Sequence, residues 1–362
     1  MTSVQDMIKQ LVRPEIRELT AYHVPDPAGL IKLDAMENPW PMPGNLRTAW
    51  LDALRAVDLN RYPDPHAQDL KKAMRKSLGV PESVAVVLGN GSDELIQMIV
   101  QTVAAPGRLI MSPEPGFVMY RQIAVVNGLD YHGVPLTPDF ALDIDAMLAA
   151  IGELQPAVIF LAYPNNPTGN LFDAGHIETI LAHADGLVVL DEAYAPFTDA
   201  SFLQRLEAHG NLLVLRTLSK MGLAGLRLGL LAGAPAWLEQ IDKTRLPYNI
   251  SSINQVTGCF ALAHAAVFAE QARRIREGRG VLLTGLQDIP GLTVYSSDAN
   301  FILFRVASGS AGKVFERLKA AGILIKKLDG STAALADCLR VTVGQPKENA
   351  AFLRALRDSV GN

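Results

Sequence analysis

Cysteine is scarce in this chain: 362 residues carry only Cys259 and Cys338, far apart and outside any CxxC spacing. That excludes a disulfide framework and a thiolate metal site, and both are expected as small buried hydrophobes. The seven histidines (23, 66, 132, 176, 183, 209 and 264) never form HxH or HExxH pairs, so no metal site is expected. Charged residues make up 19% of the chain, the formal net charge is −4, and no Lys/Arg run occurs. A nucleic-acid partner is therefore not expected, because neutralising phosphates needs clustered basic surface. No apolar stretch reaches the roughly 18 residues of a membrane span; the richest, Cys259 to Ala269, is interrupted by His264. Met1 to Thr20 mixes Gln, Asp, Lys, Arg and Glu among its apolar residues, unlike a signal peptide, so the protein is expected in the cytoplasm. Repeats, low-complexity tracts and a GxxxxGK[ST] phosphate loop are also missing; Gly312-Lys313 is followed by Val314.

The chain is rich in apolar residues, at 49%, and its length exceeds one ordinary compact core, so two domains are expected. From about residue 83 to 232, short apolar runs alternate with helical segments, the pattern of an α/β domain with a mostly parallel sheet covered by helices. The expected strands are Val84–Leu88, Arg108–Met111, Tyr131–Val134, Val158–Ala162, Leu187–Leu190, Leu212–Arg216 and Leu228–Ala232. Asp93–Val103, Val118–Asn127, Ile144–Ile151 and Asp173–His183 read as helices between them. A long helical pattern from Ile253 to Leu286, expected to break near Gly278 and Gly280, then leads into a smaller α+β domain. Its expected strands are Leu292–Tyr295, Phe301–Val306 and Leu339–Val343. The boundaries expected are a proline-rich arm at 1–29, a large domain at 45–255, and a small domain from 30–44 with 256–362.

Polar residues collect where expected strands end, the edge at which open α/β sheets bind ligands. Gly89-Asn90-Gly91-Ser92-Asp93-Glu94 follows a strand and opens a helix, so its backbone N–H groups can hold a phosphate; Ser92 as a simple N-cap is the alternative. Glu94 stands where a dinucleotide fingerprint needs its third glycine. Tyr163-Pro164-Asn165-Asn166-Pro167-Thr168-Gly169 follows the next strand in question. Asp191 and Tyr194 close Leu187-Val188-Val189-Leu190-Asp191-Glu192-Ala193-Tyr194, and Lys220 closes Thr217-Leu218-Ser219-Lys220, with Arg227 just behind in Gly222-Leu223-Ala224-Gly225-Leu226-Arg227. Strand alternation sends Glu192 to the side opposite Asp191, where a structural role is expected.

These motifs, in this order, resemble the fold-type I aminotransferases that depend on pyridoxal 5'-phosphate (PLP), over nearly the whole chain. Within that superfamily the chain is most similar to the histidinol-phosphate aminotransferases. The likeness rests on Leu19-Thr20-Ala21-Tyr22, Glu37-Asn38-Pro39, Arg61-Tyr62-Pro63, Gly89 to Glu94, Ser297-Asp298-Ala299-Asn300-Phe301 and Leu339-Arg340-Val341-Thr342-Val343-Gly344. The resemblance implies that Lys220 carries PLP and, once freed, moves the substrate's α-proton. It implies that Asp191 keeps the pyridine nitrogen protonated, since an opposite charge favours the charged form. Asn166 and Tyr194 would donate to the ring oxygen. Gly91, Ser92, Asp93, Ser219 and Arg227 would hold the cofactor phosphate, and Phe117 would lie against the ring. Tyr62 would reach the phosphate of a neighbouring subunit, making a homodimer with shared sites.

For substrates, the resemblance implies Tyr22 from the neighbouring arm, Asn38, Asn300 and Arg340, whose planar fork suits a carboxylate. The segment Gly322-Ile323-Leu324-Ile325-Lys326-Lys327 departs from the family, which commonly shows an arginine near the substrate phosphate. Lys326 is the candidate there, with Lys327 as the alternative. Met36 departs from the more usual Asn, and Phe117 from a Tyr. The activity implied is transfer of an amino group between L-histidinol phosphate and 2-oxoglutarate, forming glutamate in histidine biosynthesis. An aromatic amino-acid aminotransferase and a PLP-dependent decarboxylase of a phosphorylated amino acid are the alternatives. A non-catalytic sensor would need a DNA-binding module, for which the proline-rich arm is too short.

Overall fold

The computed structural model describes residues 3–21 and 24–361. Its strands, in chain order, are β1 (Ile31–Lys32), β2 (Ala85–Gly89), β3 (Leu109–Glu114), β4 (Asp130–Pro135), β5 (Val158–Ala162), β6 (Leu187–Asp191), β7 (Leu212–Thr217), β8 (Gly229–Gly233), β9 (Thr293–Val294), β10 (Phe301–Arg305), β11 (Ile323–Leu324), β12 (Lys326–Lys327) and β13 (Cys338–Thr342). Seven of them form one sheet in the order β2-β8-β7-β6-β5-β3-β4. It is parallel except for β8, which runs antiparallel to both β2 and β7.

Why these runs become strands is visible in their burial. Every residue of β5, β6 and β8 is buried, as continuous apolar runs must be when helices cover both sheet faces. Alternation divides them between two cores. Ile159, Leu161, Val188 and Leu190 pack with Met147, Ile151, Ile177 and Ile180 from the helices Ile144–Leu154 and Ala174–His183. Val158, Phe160, Leu187 and Val189 pack on the other face with Leu95, Ile96, Ile99, Tyr120 and Ile123 from Ser92–Val103 and Val118–Val126.

The small domain has an antiparallel sheet in the order β12-β13-β10-β9. Its core joins Phe301, Phe304, Leu339 and Val341 to Leu282, Leu286, Val314, Leu318, Phe352 and Leu356 from three helices. Leu33 belongs to the same core, and β1 pairs in parallel with β11.

The helical run is bent by 74° between Ser252–Ala263 and Ala265–Gln287, not broken at Gly278 and Gly280. The second helix passes unbroken through both glycines. A Cβ at Gly278 would lie 3.3 Å from the Val343 side chain, so that glycine admits close packing rather than a break. Ala261 and Leu262 pack in the large-domain core, and Ala272 and Ile275 in the small-domain core. The arm contains the helices Val4–Leu11 and Pro14–Glu18, tied to the large domain where Arg13 donates to Val126 O at the end of Val118–Val126. Among the described residues, no single helix is long and apolar enough to cross a membrane.

Candidate active site

Thr217 of β7 and Gly89 of β2 both pair with Gly229, the first residue of β8. The loops after β2 and β7 and the approach to β8 therefore meet at one sheet edge, beside the ends of β5 and β6. Ser92, Asp93, Phe117, Asn166, Asp191, Tyr194, Ser219, Lys220 and Arg227 line one cavity there, with Met36 and Thr217.

Asp191 ends β6 and is buried. Its Oδ2 accepts from the Tyr120 hydroxyl at 2.8 Å and its Oδ1 from the Ala193 N–H at 3.1 Å. Burial pushes its carboxyl up to about 6, against the pull of those two donors. Glu192 points away, as alternation requires, and pairs with Arg216 at 2.6 Å while accepting from Phe202 N. Tyr120 was not among the expected site residues. It stands one helical turn after Phe117, and that spacing was the available signal.

At the opposite end, Ser92 opens the helix Ser92–Val103. Glu94 folds back and accepts from Asn90 N and Asn249 Nδ2, each at 2.6 Å, closing the turn before the helix. Gly91 has φ +88°, and a Cβ on it would lie 2.7 Å from Arg227 Nη2. The positive φ favours glycine there, and the Arg227 guanidinium packs close against it. Arg227 Nη2 donates to Asp93 Oδ2 at 3.0 Å, and the Thr217 hydroxyl lies 2.9 Å from Ser219 Oγ. A helix N-terminus, two hydroxyls and a guanidinium form a cradle for a phosphate.

Lys220 lies in a 3₁₀ turn, Ser219–Met221, after β7. Its Nζ donates to Ala35 O at 3.3 Å and stands 5.7 Å from the centre of the Tyr194 ring. Burial, then the charge of Arg340, lowers its pKa to about 8. Ala35 belongs to a strap whose successive carbonyls are all captured. Leu33 O accepts from Thr342 N, Asp34 O from Arg340, Ala35 O from Lys220 and Met36 O from Asn300.

Arg340, on β13, is buried over the Phe301 ring and donates from Nη1 to Asn166 Oδ1 and from Nη2 to Asp34 O. Asn165, beside Asn166, instead binds Pro115 O and Thr168 Oγ1 and shapes the loop. Lys326 is the cross-strand partner of Arg340, and Lys327 of buried Leu339. Cross-strand partners share a sheet face, so Lys326, half-buried, lies on the Arg340 side.

Asn38 and Asn300, expected at the substrate, each bond to the chain through the side-chain amide nitrogen, while Asn300 Oδ1 is buried with no hydrogen-bond partner among the described residues. Asn38 Nδ2 donates to Met221 O and Gln271 Oε1, and its Oδ1 accepts from Trp40 N. Asn300 Nδ2 holds Met36 O, and Thr342 Oγ1 accepts from Met36 N. Met36 has φ +52°, a left-handed conformation that Asn adopts more readily, which explains the usual residue there. Tyr62 does not line the cavity; it is exposed and stacked on Tyr248, ring centres 4.4 Å apart. Tyr22 lies outside the described residues.

Among the described residues, no group of three or more His, Cys, Asp or Glu could hold a metal ion. The donor set fits PLP: the cradle at Gly91 for phosphate, Phe117 for a ring face, buried Asp191 for a ring nitrogen, and a buried amine of lowered basicity for an aldehyde.

A family model described as Aminotransferase class I and II matches residues 28–356. The chain is 55% identical over 353 residues to histidinol-phosphate aminotransferase 2 of Nitrosococcus oceani, covering 98% of each. It is 50% identical over 359 residues to the protein of that name from Cupriavidus pinatubonensis, again covering 98% of each. The crystal structure of histidinol-phosphate aminotransferase from Sinorhizobium meliloti, in complex with pyridoxal-5'-phosphate, matches with a TM-score of 0.86 at 26% identity, covering 97% of this chain and 98% of that one. With the site geometry and these likenesses in agreement, the chain belongs to the class I and II aminotransferases, among the histidinol-phosphate aminotransferases.

Proposed function

We propose that the protein transfers an amino group between L-histidinol phosphate and 2-oxoglutarate, with PLP on Lys220, as a cytoplasmic homodimer. The observation that carries this reading is the meeting of Lys220, Asp191 and Asn166 in one cavity, with Arg340 reaching Asn166 from the small domain. When bound, PLP supplies an aldehyde that bonds to amines and a pyridine ring that draws electrons from the substrate's α-carbon.

Lys220, whose basicity burial lowers, would be the amine that holds the cofactor aldehyde and, when free, the base that moves the proton at the substrate's α-carbon. Asp191 holds the proton on the ring nitrogen. Arg340 fixes Oδ1 of Asn166, leaving the amide nitrogen to face the ring oxygen beside Tyr194. Ser92, Ser219, Arg227 and the Asp93 backbone anchor the phosphate end. Arg340 takes the substrate carboxylate, and Lys326, on the same face, takes the phosphate of histidinol phosphate. Tyr62, exposed beside Leu59 and Ile253, reaches the cofactor phosphate of the partner subunit.

The test is an assay of histidinol phosphate, phenylalanine, tyrosine and aspartate as donors to 2-oxoglutarate. The expected result is the highest kcat/KM with histidinol phosphate. A higher kcat/KM with phenylalanine would replace this reading with an aromatic amino-acid aminotransferase.

A further inference from the structure

We propose that Tyr120 is a positioning residue: its hydroxyl aims the Asp191 carboxylate at the cofactor's ring nitrogen, and its ring ties that carboxylate to Phe117 on the cofactor face. This rests on the assignment of Asp191 to the ring nitrogen. The Tyr120 ring is buried, stacked on Phe160 at 4.7 Å with planes 8° apart, and in edge contact with Phe117 at 5.4 Å. Its hydroxyl has little freedom to point elsewhere than Asp191 Oδ2, 2.8 Å away.

Each Asp191 oxygen has one protein donor, Tyr120 on Oδ2 and Ala193 N on Oδ1. A carboxylate oxygen has two lone pairs, so each oxygen keeps one for the cofactor. A carboxylate with one donor on each oxygen is fixed in rotation about its C–C bond. Phe117 and Tyr120 are three residues apart in one turn, so one turn sets both the plane of the cofactor ring and the direction of its nitrogen's partner.

Charge makes the Tyr120 donor consequential. The titratable groups around Asp191 are Tyr120 from its helix, Asp93 from the helix Ser92–Val103, Tyr194, Lys220 across the cavity, and the adjacent Glu192 on the opposite side of the strand. Asp93 and Glu192 both disfavour ionisation of Asp191, as does burial, while the hydroxyl of Tyr120 is the largest influence favouring it.

The test is Tyr120→Phe, which deletes one oxygen and keeps the ring. In the holoenzyme kcat should fall roughly ten- to a hundred-fold, the range for losing a hydrogen bond to a charged group, with KM little changed and faster cofactor loss on dialysis. In the cofactor-free protein the thermal midpoint should be compared at pH 5 and pH 8. A carboxyl whose folded pKa lies above its unfolded value weakens the fold as pH rises towards that folded value. Removing the donor raises Asp191 further, so the deficit of Tyr120→Phe should be small at pH 5 and larger at pH 8. In an Asp191→Asn background the deficit should be the same at both pH values. Should the single variant not fold, the double variant should, because no buried carboxylate has then lost its donor. A pH-independent deficit in the wild-type background, unchanged cofactor loss, or failure of both variants to fold overturns the proposal. Wild-type protein inactive with every donor would defeat the proposed function and leave the cofactor-free comparison valid.

Discussion

Arg340 Nη1 donates to Oδ1 of Asn166, joining the small domain's β13 to the loop after β5 in the large domain. The residue assigned to the substrate thus orients the one assigned to the cofactor ring. Arg340→Ala should impair both half-reactions, each by roughly ten- to a hundred-fold. Single-turnover rates with the amino donor and with 2-oxoglutarate, measured separately, check this; an effect on one half-reaction alone would confine Arg340 to one substrate.

Lys220 should show its lowered pKa in the rate at which cofactor-free protein takes up PLP. Only the neutral amine attacks the aldehyde, and with a pKa of about 8 roughly a tenth is neutral at pH 7. Uptake should therefore rise through pH 8 and level off above it. Arg340→Ala removes a neighbouring positive charge and should move that rise to higher pH. A rate constant flat from pH 7 to 9 would refute the assignment, as would borohydride fixing the cofactor to another lysine.

Register separates Lys326 from Lys327. Lys326→Ala should lower kcat/KM for histidinol phosphate roughly ten-fold or more while sparing phosphate-free aromatic donors. Lys327→Ala, on the Leu339 side of the strand, should leave both donors nearly unaffected. Reversed results, or no discrimination by either variant, would displace the phosphate pocket from β12.

Tyr62→Phe should speed cofactor loss while preserving the stack on Tyr248 and the thermal midpoint. Sedimentation should show a dimer at assay concentration. A fully active monomer there contradicts shared sites.

The large sheet was legible because strands buried on both faces are continuous apolar runs, and Asp191 and Lys220 because they punctuate such runs. Glu192 was legible by alternation alone. The His264 bend was not, since neither glycine nor proline marks it, while Gly278 drew attention for a packing reason. β1, β11 and β12 are two residues long, too short for a period. Asn38 and Asn300 carry motif positions whose partners, Met221, Gln271 and Met36, are remote in sequence. Nor can a sequence announce the strap at 33–36, because its acceptors are carbonyls that every residue possesses.

That strap limits how the specificity of the enzyme can be re-engineered. Asp34 O serves Arg340 and the next carbonyl, Ala35 O, serves Lys220. A substitution that relocates Arg340 frees an acceptor one peptide from the lysine and removes a charge that depresses the lysine's basicity. Substrate range and amine reactivity would then change together. Variation at half-buried Lys326 on β12 leaves both acceptors occupied, and makes that short strand the better starting point for accepting a different donor.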